Sequence, residues 1–393
     1  MVVCDAGGGT VDLISYEITK TSPLQVVEST VGTGGLCGGS FINRRFELMC
    51  ENRIGKQKFD IIKDTKPKTW RIALDAFEDR VKRWFGSVNM TEFEVPFPGL
   101  PDDESAGIED GCLILKAGQV KELFDPVVED VVALVDGQVK SLRSAGKKVS
   151  AILCVGGFGG SAYLFKRMKD HFQTDLPPPY SPHGVRGFAN NFFGGGSASA
   201  ATQAIEVMQP QDAWSAVVRG ACLRGLEDTI VKMRKARYNY GVTSSNPFEQ
   251  SLHPMSSRYW DDYDECYYAR GAMTWYVTKG DDVSEEREIN FDFSRVWDEK
   301  PRHGPIVSDD LLFCNHNVPP IMRSANGIAK LCTLTTDLST VPRSYWIPKR
   351  VASGKTRWGL NYNMVMRIDS ANIEFALKIK DITYGSVAAS FAH

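Results

Sequence analysis

The sequence predicts an α/β lobe followed by a β-rich domain. Three observations predict it. Glycine turns directly follow apolar strands at "CDAGGGT" (residues 4–10) and "CVGGFGG" (154–160). Amphipathic helices lie between those turns. From about Tyr238 the composition shifts to alternating, aromatic and β-branched stretches. The 393 residues are enough for two domains, and 42% hydrophobic with 24% charged residues is ordinary for a globular chain. A net charge of −2 gives no global field favouring nucleic acid or an anionic membrane. No stretch approaches the roughly 20 apolar residues of a membrane span, and the amino terminus does not read as a signal peptide. Nine cysteines with no CxxC pair point to reduced thiols and a cytoplasmic protein.

In order, "MVVC" and "TVDLISYEI" read as strands joined by the first glycine turn, and "LQVVESTVG" as a third. "GTGGLCGGSFINRRFELMC" reads as a glycine-rich loop entering a helix. Trp70, Leu74, Phe77, Val81 and Trp84 recur at helical spacing over residues 69–87, with Glu78–Lys82 and Asp79–Arg83 as i,i+4 pairs. "EFEVPF" and "GCLILK" read as strands, and "AGQVKELF" as a short helix. Asp125 and Pro126 read as the cap and first residue of a new helix running to about Ala145. "SAILCVGGFGGSAYLFKRMKDHF" reads as strand, turn and helix. Residues 174–202, rich in Pro, Gly and Ser, read as an exposed insertion. "DAWSAVVRGACLRGLEDTIVKM" resumes helix. The β-rich part begins at residue 236.

Three glycines after an aspartate suit an anion cradle, because no Cβ blocks close approach to backbone amides. No Lys-Ser/Thr ending follows, so the stretch is not a P-loop. A strand rather than a helix follows, so the dinucleotide fingerprint fails too. A hairpin gripping phosphate or a plain tight turn remains. Asp5 stands where a carboxylate can hold Mg²⁺, and Thr10 offers a hydroxyl to a terminal phosphate or attacking water. In the β-rich part, "RYWDDYDECYYARG" reads as a solvated strand edge or a peptide-recognition face. Cys314 and His316 alone do not make a zinc site.

Taken in order, these motifs resemble the seventy-kilodalton heat-shock chaperone family of the actin-like ATPase superfamily. "DAGGGTVDL" is similar to that family's second phosphate loop, and "GTGGLCGGSFINRRF" to the segment after it. "FEDRVKRWFGS" is similar to its adenosine-contacting helix, "ILCVGGFGGSAYL" to its adenosine loop, and "AWSAVVRGA" to its closing helix. The resemblance covers residues 1–226 apart from the insertion. It implies a partial actin-like (ribonuclease H-like) ATPase domain over 1–235 and a loosely substrate-binding-like domain over 236–393.

The resemblance also implies ATP and Mg²⁺ as cofactors. Gly7, Gly8, Gly9 and Thr10 would hold the phosphates, with Asp5 near the metal. Asp79, Lys82 and Arg83 would face ribose and adenine, and Gly156, Gly157 and Gly159 would line the adenine pocket. Unfolded or peptide clients are the implied partners. The chain departs from the family at Phe158 and Gly160, which stand where the family has a serine and an arginine. It also departs at Trp214, where the family has an acid. The family's first phosphate loop and first lobe do not precede Asp5. The expectation is therefore slow or absent hydrolysis, and self-association through Trp214, Val217, Val218, Ala221 and Leu226. The alternatives are a non-enzymatic interaction scaffold, or a reading frame that begins upstream of Met1.

Overall fold

The computed structural model describes all residues except 88, 174–203, 227–229, 285–286, 369–372 and 392–393. The insertion expected at 174–202 therefore lies outside the described residues. The chain divides into two compact units, 1–17 with 32–229, and 18–31 with 230–393.

The first unit contains β1 (Val2–Ala6), β2 (Val11–Thr21), whose tip belongs to the second unit, and the end of β3 (Leu24–Gly35). The helices α1 (Ser40–Ile54), α2 (Lys56–Thr65) and α3 (Pro67–Ala76) follow. Then come β4 (Glu92–Pro96), β5 (Ile108–Glu109), β6 (Cys112–Lys116), α4 (Ala117–Ser144), β7 (Ala151–Val155), α5 (Ala162–Phe172), β8 (Glu206–Met208) and α6 (Ala216–Leu226). The main sheet runs β3-β2-β1-β7-β8, with β1 antiparallel to β2 and parallel to β7. One face of β1 and β7 packs into the core, so Val2, Ala6, Ile152 and Cys154 are fully buried, while Val3 and Asp5 on the other face of β1 are half-buried.

Three helix expectations are corrected, one of them at the end of "DAWSAVVRGACLRGLEDTIVKM", where Val231–Lys235 is a strand. Residues 117–144 form one helix with Pro126 inside it, so Asp125 does not cap a new helix. Pro126 has no N–H for the carbonyl of Glu122. Nη2 of Arg45 donates to that oxygen at 3.3 Å instead. The Asp125 carboxylate turns sideways, accepting from Tyr163 at 2.6 Å and Arg167 at 2.5 Å. The helix expected over 69–87 is regular only to Ala76, and Phe77–Lys82 widens into a π turn. There the Arg83 amide donates to the Glu78 carbonyl at 3.2 Å. The extra residue per turn shifts the following side chains, and Trp84, expected on the apolar stripe, is exposed.

The second unit contains β9 (Val231–Lys235), β10 (Asn239–Pro247), β11 (Arg258–Asp261), β12 (Cys266–Val277), β13 (Asp282–Val283), β14 (Ile289–Trp297) and β15 (Ile306–Cys314). β16 (Ile328–Asp337), β17 (Ile347–Arg350), β18 (Thr356–Ile368), β19 (Ile373–Ile379), β20 (Ile382–Ser386) and β21 (Ala388–Phe391) complete it. One sheet runs β11-β12-β10-β15-β16-β21 and another β14-β18-β19-β20. Phe291, Leu311, Leu334, Leu360 and Met364 from both sheets form one core.

The outer hairpin, residues 18–31, counts with this unit. Val26 and Val27 pair in parallel with Val231 and Met233. Buried Glu28 accepts from the Lys235 amide at 2.8 Å and lies 3.9 Å from the Arg234 guanidinium. Removing a buried charged acceptor strands its donors. Glu28→Ala is therefore expected to destabilise the second unit by about 2 kcal/mol. Urea denaturation checks this, and an unchanged midpoint would count against it.

Candidate functional site

The site begins at the turn between β1 and β2. Gly7, Gly8, Gly9 and Thr10 close the hairpin, with the Gly7 amide bonded to the Thr10 carbonyl at 2.9 Å. The entry to α1 then grips this turn from one side. The amides of Gly38, Gly39 and Ser40 donate to the carbonyls of Gly9, Gly7 and Gly8 at 3.2, 3.0 and 2.7 Å. A trans peptide points its N–H opposite to its C=O. Three carbonyls held on the α1 side therefore turn the amides of Gly8, Gly9 and Thr10 the other way. Those three residues are exposed. A Cβ on Gly8 or Gly9 would meet nothing within 4 Å, so the space in front of the amides is open. None of the three turn glycines has positive φ. Their lack of a side chain matters here for access, not for backbone conformation.

The close approach is satisfied at Gly38, where a Cβ would lie 2.4 Å from the Gly8 carbonyl oxygen. The sequence marked the 34–39 segment as glycine-rich without showing which glycine touches the turn.

Asp5 is the penultimate residue of β1 beside the turn, and its register partner on β2 is Asp12. Directly opposed residues of an antiparallel pair project to the same face. The two carboxylates therefore share a face, and Thr10 donates to Asp12 at 3.1 Å. Burial first, then the Asp12 charge, raises the Asp5 pKa above its ordinary value. Asp12 was missed in the sequence reading. The signal was present, because a hairpin closed by residues 7–10 places residue 5 opposite residue 12.

The second glycine turn lands on the first. The amides of Phe158 and Gly159 donate to the Ala6 carbonyl at 2.8 and 2.9 Å, and that of Gly156 to Ala213 at 2.9 Å. Gly156 has φ +89°, and a Cβ there would lie 2.3 Å from Oδ1 of Asp5. Gly159 is as constrained, with Val155 O 1.9 Å from a Cβ, whereas Gly157 faces open space.

Lys82 also reaches this region. Its Nζ donates to Asn43 at 3.0 Å and lies 3.3 Å from Glu78. Burial lowers the Lys82 pKa, against the Glu78 charge. The Asn43 amide holds the Glu78 carboxyl below its usual range. Asp79 and Arg83 stay exposed and join no contact of this cluster. Asn43 and Glu78 hold the Lys82 ammonium instead, Glu78 as the i,i+4 partner that the spacing predicts. Among the described residues no group of three or more His, Cys, Asp or Glu is placed to hold a metal. No helix among them is long and apolar enough to cross a membrane.

The profile of a domain of unknown function, DUF8568, matches residues 234–390. The human heat shock 70 kDa protein 12B is 24% identical over 64% of this chain and 35% of its own length. The human heat shock 70 kDa protein 12A is 22% identical over 64% of this chain and 36% of its own. The chaperone protein DnaK of Thermoplasma volcanium is 25% identical over 44% of this chain and 27% of its own. The chain thus spans about a third of the length of these curated relatives.

Proposed function

We propose that this chain, a divergent relative of the heat shock 70 kDa proteins with an actin-like ATPase lobe, binds the phosphates of a magnesium nucleotide at the β1–β2 turn. The observation that carries the reading is the outward-facing row of amides at Gly8, Gly9 and Thr10, fixed by the three bonds from Gly38, Gly39 and Ser40. Each amide bond to a charged oxygen is worth about 1.5–3 kcal/mol. Three of them are comparable with the roughly 8 kcal/mol of micromolar binding.

Asp5 and Asp12 are hard oxygen donors on one face, a set that fits Mg²⁺ held partly through water. Bound there, the ion would neutralise phosphate charge. Thr10 stands between Asp12 and the amide row, where its hydroxyl can orient a terminal phosphate oxygen. Hydrolysis is slow in this reading. Lys82, the cation that the structure gathers near the turn, is already held by Glu78 and Asn43. Little free positive charge is left to stabilise a phosphoryl-transfer transition state.

Titration calorimetry with MgATP tests the proposal. Micromolar binding is expected, and it should fall at least tenfold in Gly8→Ala, whose new methyl group enters the phosphate space. Absence of heat up to millimolar MgATP, or an unaffected Gly8→Ala variant, would sink it.

A further inference from the structure

We propose that the outer edge of β11 pairs with the same edge of a second copy of this chain, antiparallel and centred on Trp260. The proposal is independent of the phosphate reading and lies wholly within the second unit.

β11 stands at the end of its sheet, with β12 as its neighbour. The register fixes which of its backbone groups face outward. The Phe248 amide donates to the Tyr267 carbonyl at 2.8 Å, on the β10 side of β12 and away from β11. Tyr267 therefore gives β11 no ladder bond. Trp260, its partner in register, forms a non-hydrogen-bonded pair with it. The N–H and C=O of Trp260 turn outward, and so do those of Arg258, two residues earlier. An edge with such groups is a template for another strand.

The side chains decide which strand fits. Trp260 is half exposed, and its ring meets that of Tyr267 edge to face at 5.0 Å. Arg258 shares that face of the sheet. Its guanidinium lies 3.6 Å from the centre of the Tyr267 ring and 5.5 Å from that of Phe248. The two rings hold the cation in place, yet among the described residues no carboxylate pairs with it. Asp262 opens the turn two residues beyond Trp260, is exposed, and joins no ion pair among the described residues either. Unmatched opposite charges thus flank an exposed tryptophan at equal spacing. A two-fold axis that sets Trp260 against its copy sets each Arg258 against Asp262 of the second copy. The two Trp260 residues then form a hydrogen-bonded pair that exchanges both N–H···O bonds. Charges of one sign would guard this edge by repelling its copy, whereas this arrangement attracts it. An extended peptide of arbitrary sequence would meet the backbone groups and leave both charges unmatched.

Sedimentation of the full chain over a concentration series tests the proposal. A reversible dimer in the micromolar range is expected. Arg258→Asp and Asp262→Arg each bring like charges face to face, and each should weaken the dimer at least about tenfold. Mixed in equal amounts, the two variants restore opposite charges in both cross-strand pairs. Their heterodimer should form within about threefold of the parent's dissociation constant. That recovery also excludes misfolding as the cause of the single losses. A parent that stays monomeric at a concentration on the order of 100 µM would sink the proposal. A dimer that neither variant weakens would place self-association on another face, such as α6, and overturn it as well. Weakened single variants with no recovery in the mixture would rule out the two-fold centred on Trp260.

Discussion

Gly156→Ala is expected to destabilise the first unit by about 3–5 kcal/mol, a loss at the upper end for single substitutions. Two costs combine. The residue sits at φ +89°, a backbone conformation that side chains other than glycine rarely adopt. Its new Cβ would also lie 2.6 Å from the Ala6 carbonyl oxygen and 2.3 Å from Oδ1 of Asp5. The first of these is backbone in the centre of a sheet and cannot swing aside. A midpoint about 10 °C lower in thermal denaturation is the expected reading. Gly157→Ala is the internal control, because a Cβ there meets nothing within 4 Å. It should stay within about 0.5 kcal/mol of the parent. Equal stability for the two variants would mean that the second glycine turn does not pack on β1 as described.

Asp5→Asn is expected to move stability and binding in opposite directions. The Asp5 carboxyl has its pKa raised by burial and then by Asp12. Its folded-state value therefore lies above the unfolded one, and the folded state binds the proton more tightly. Stability from this group falls as pH rises through the interval between those values, and the penalty is fully present above it. Asparagine removes the charge and the repulsion. The variant should be slightly more stable than the parent at neutral pH, by about 0.5–1 kcal/mol, with the difference shrinking as pH falls. Binding of a magnesium nucleotide should weaken by about a hundredfold, because one of the two facing carboxylates is lost. Paired denaturation and calorimetry read both effects. A destabilised Asp5→Asn at pH 7 would show that the carboxylate holds a structural contact instead.

Much of the site was legible because its elements are local. A triple glycine between two strands announces a backbone surface, and the order of the two turns places them at adjacent strand ends. Asp12 was legible in principle, since hairpin length sets the register, but its partner becomes visible only once the pairing is counted. The Glu78–Lys82 pair was legible from i,i+4 spacing and stands at 3.3 Å, whereas the exposure of Trp84 was not, because regular helical spacing assumes 3.6 residues per turn and the π turn at Phe77–Lys82 breaks that rule. Pro126 misled for a related reason. Its cost inside a helix is offset by Arg45, which lies 77 residues from Glu122 in sequence. Such long-range compensation leaves no local trace.

The hairpin at 18–31 gives the chain an unusual covalent topology. The polypeptide passes from one unit to the other at 17–18, 31–32 and 229–230. A protease that cuts once near residue 230 leaves two covalently separate fragments, and the hairpin, which stays in the amino-terminal one, holds the other only through noncovalent pairing such as Val26–Val231. Moving the carboxy-terminal stretch as a cassette, with a boundary drawn at the DUF8568 match, would leave the hairpin behind. The transplanted piece would arrive without the hairpin and without Val231 and Met233, which pair with it, so Arg234 and Lys235 would lose Glu28 and the sheet would end in a raw edge.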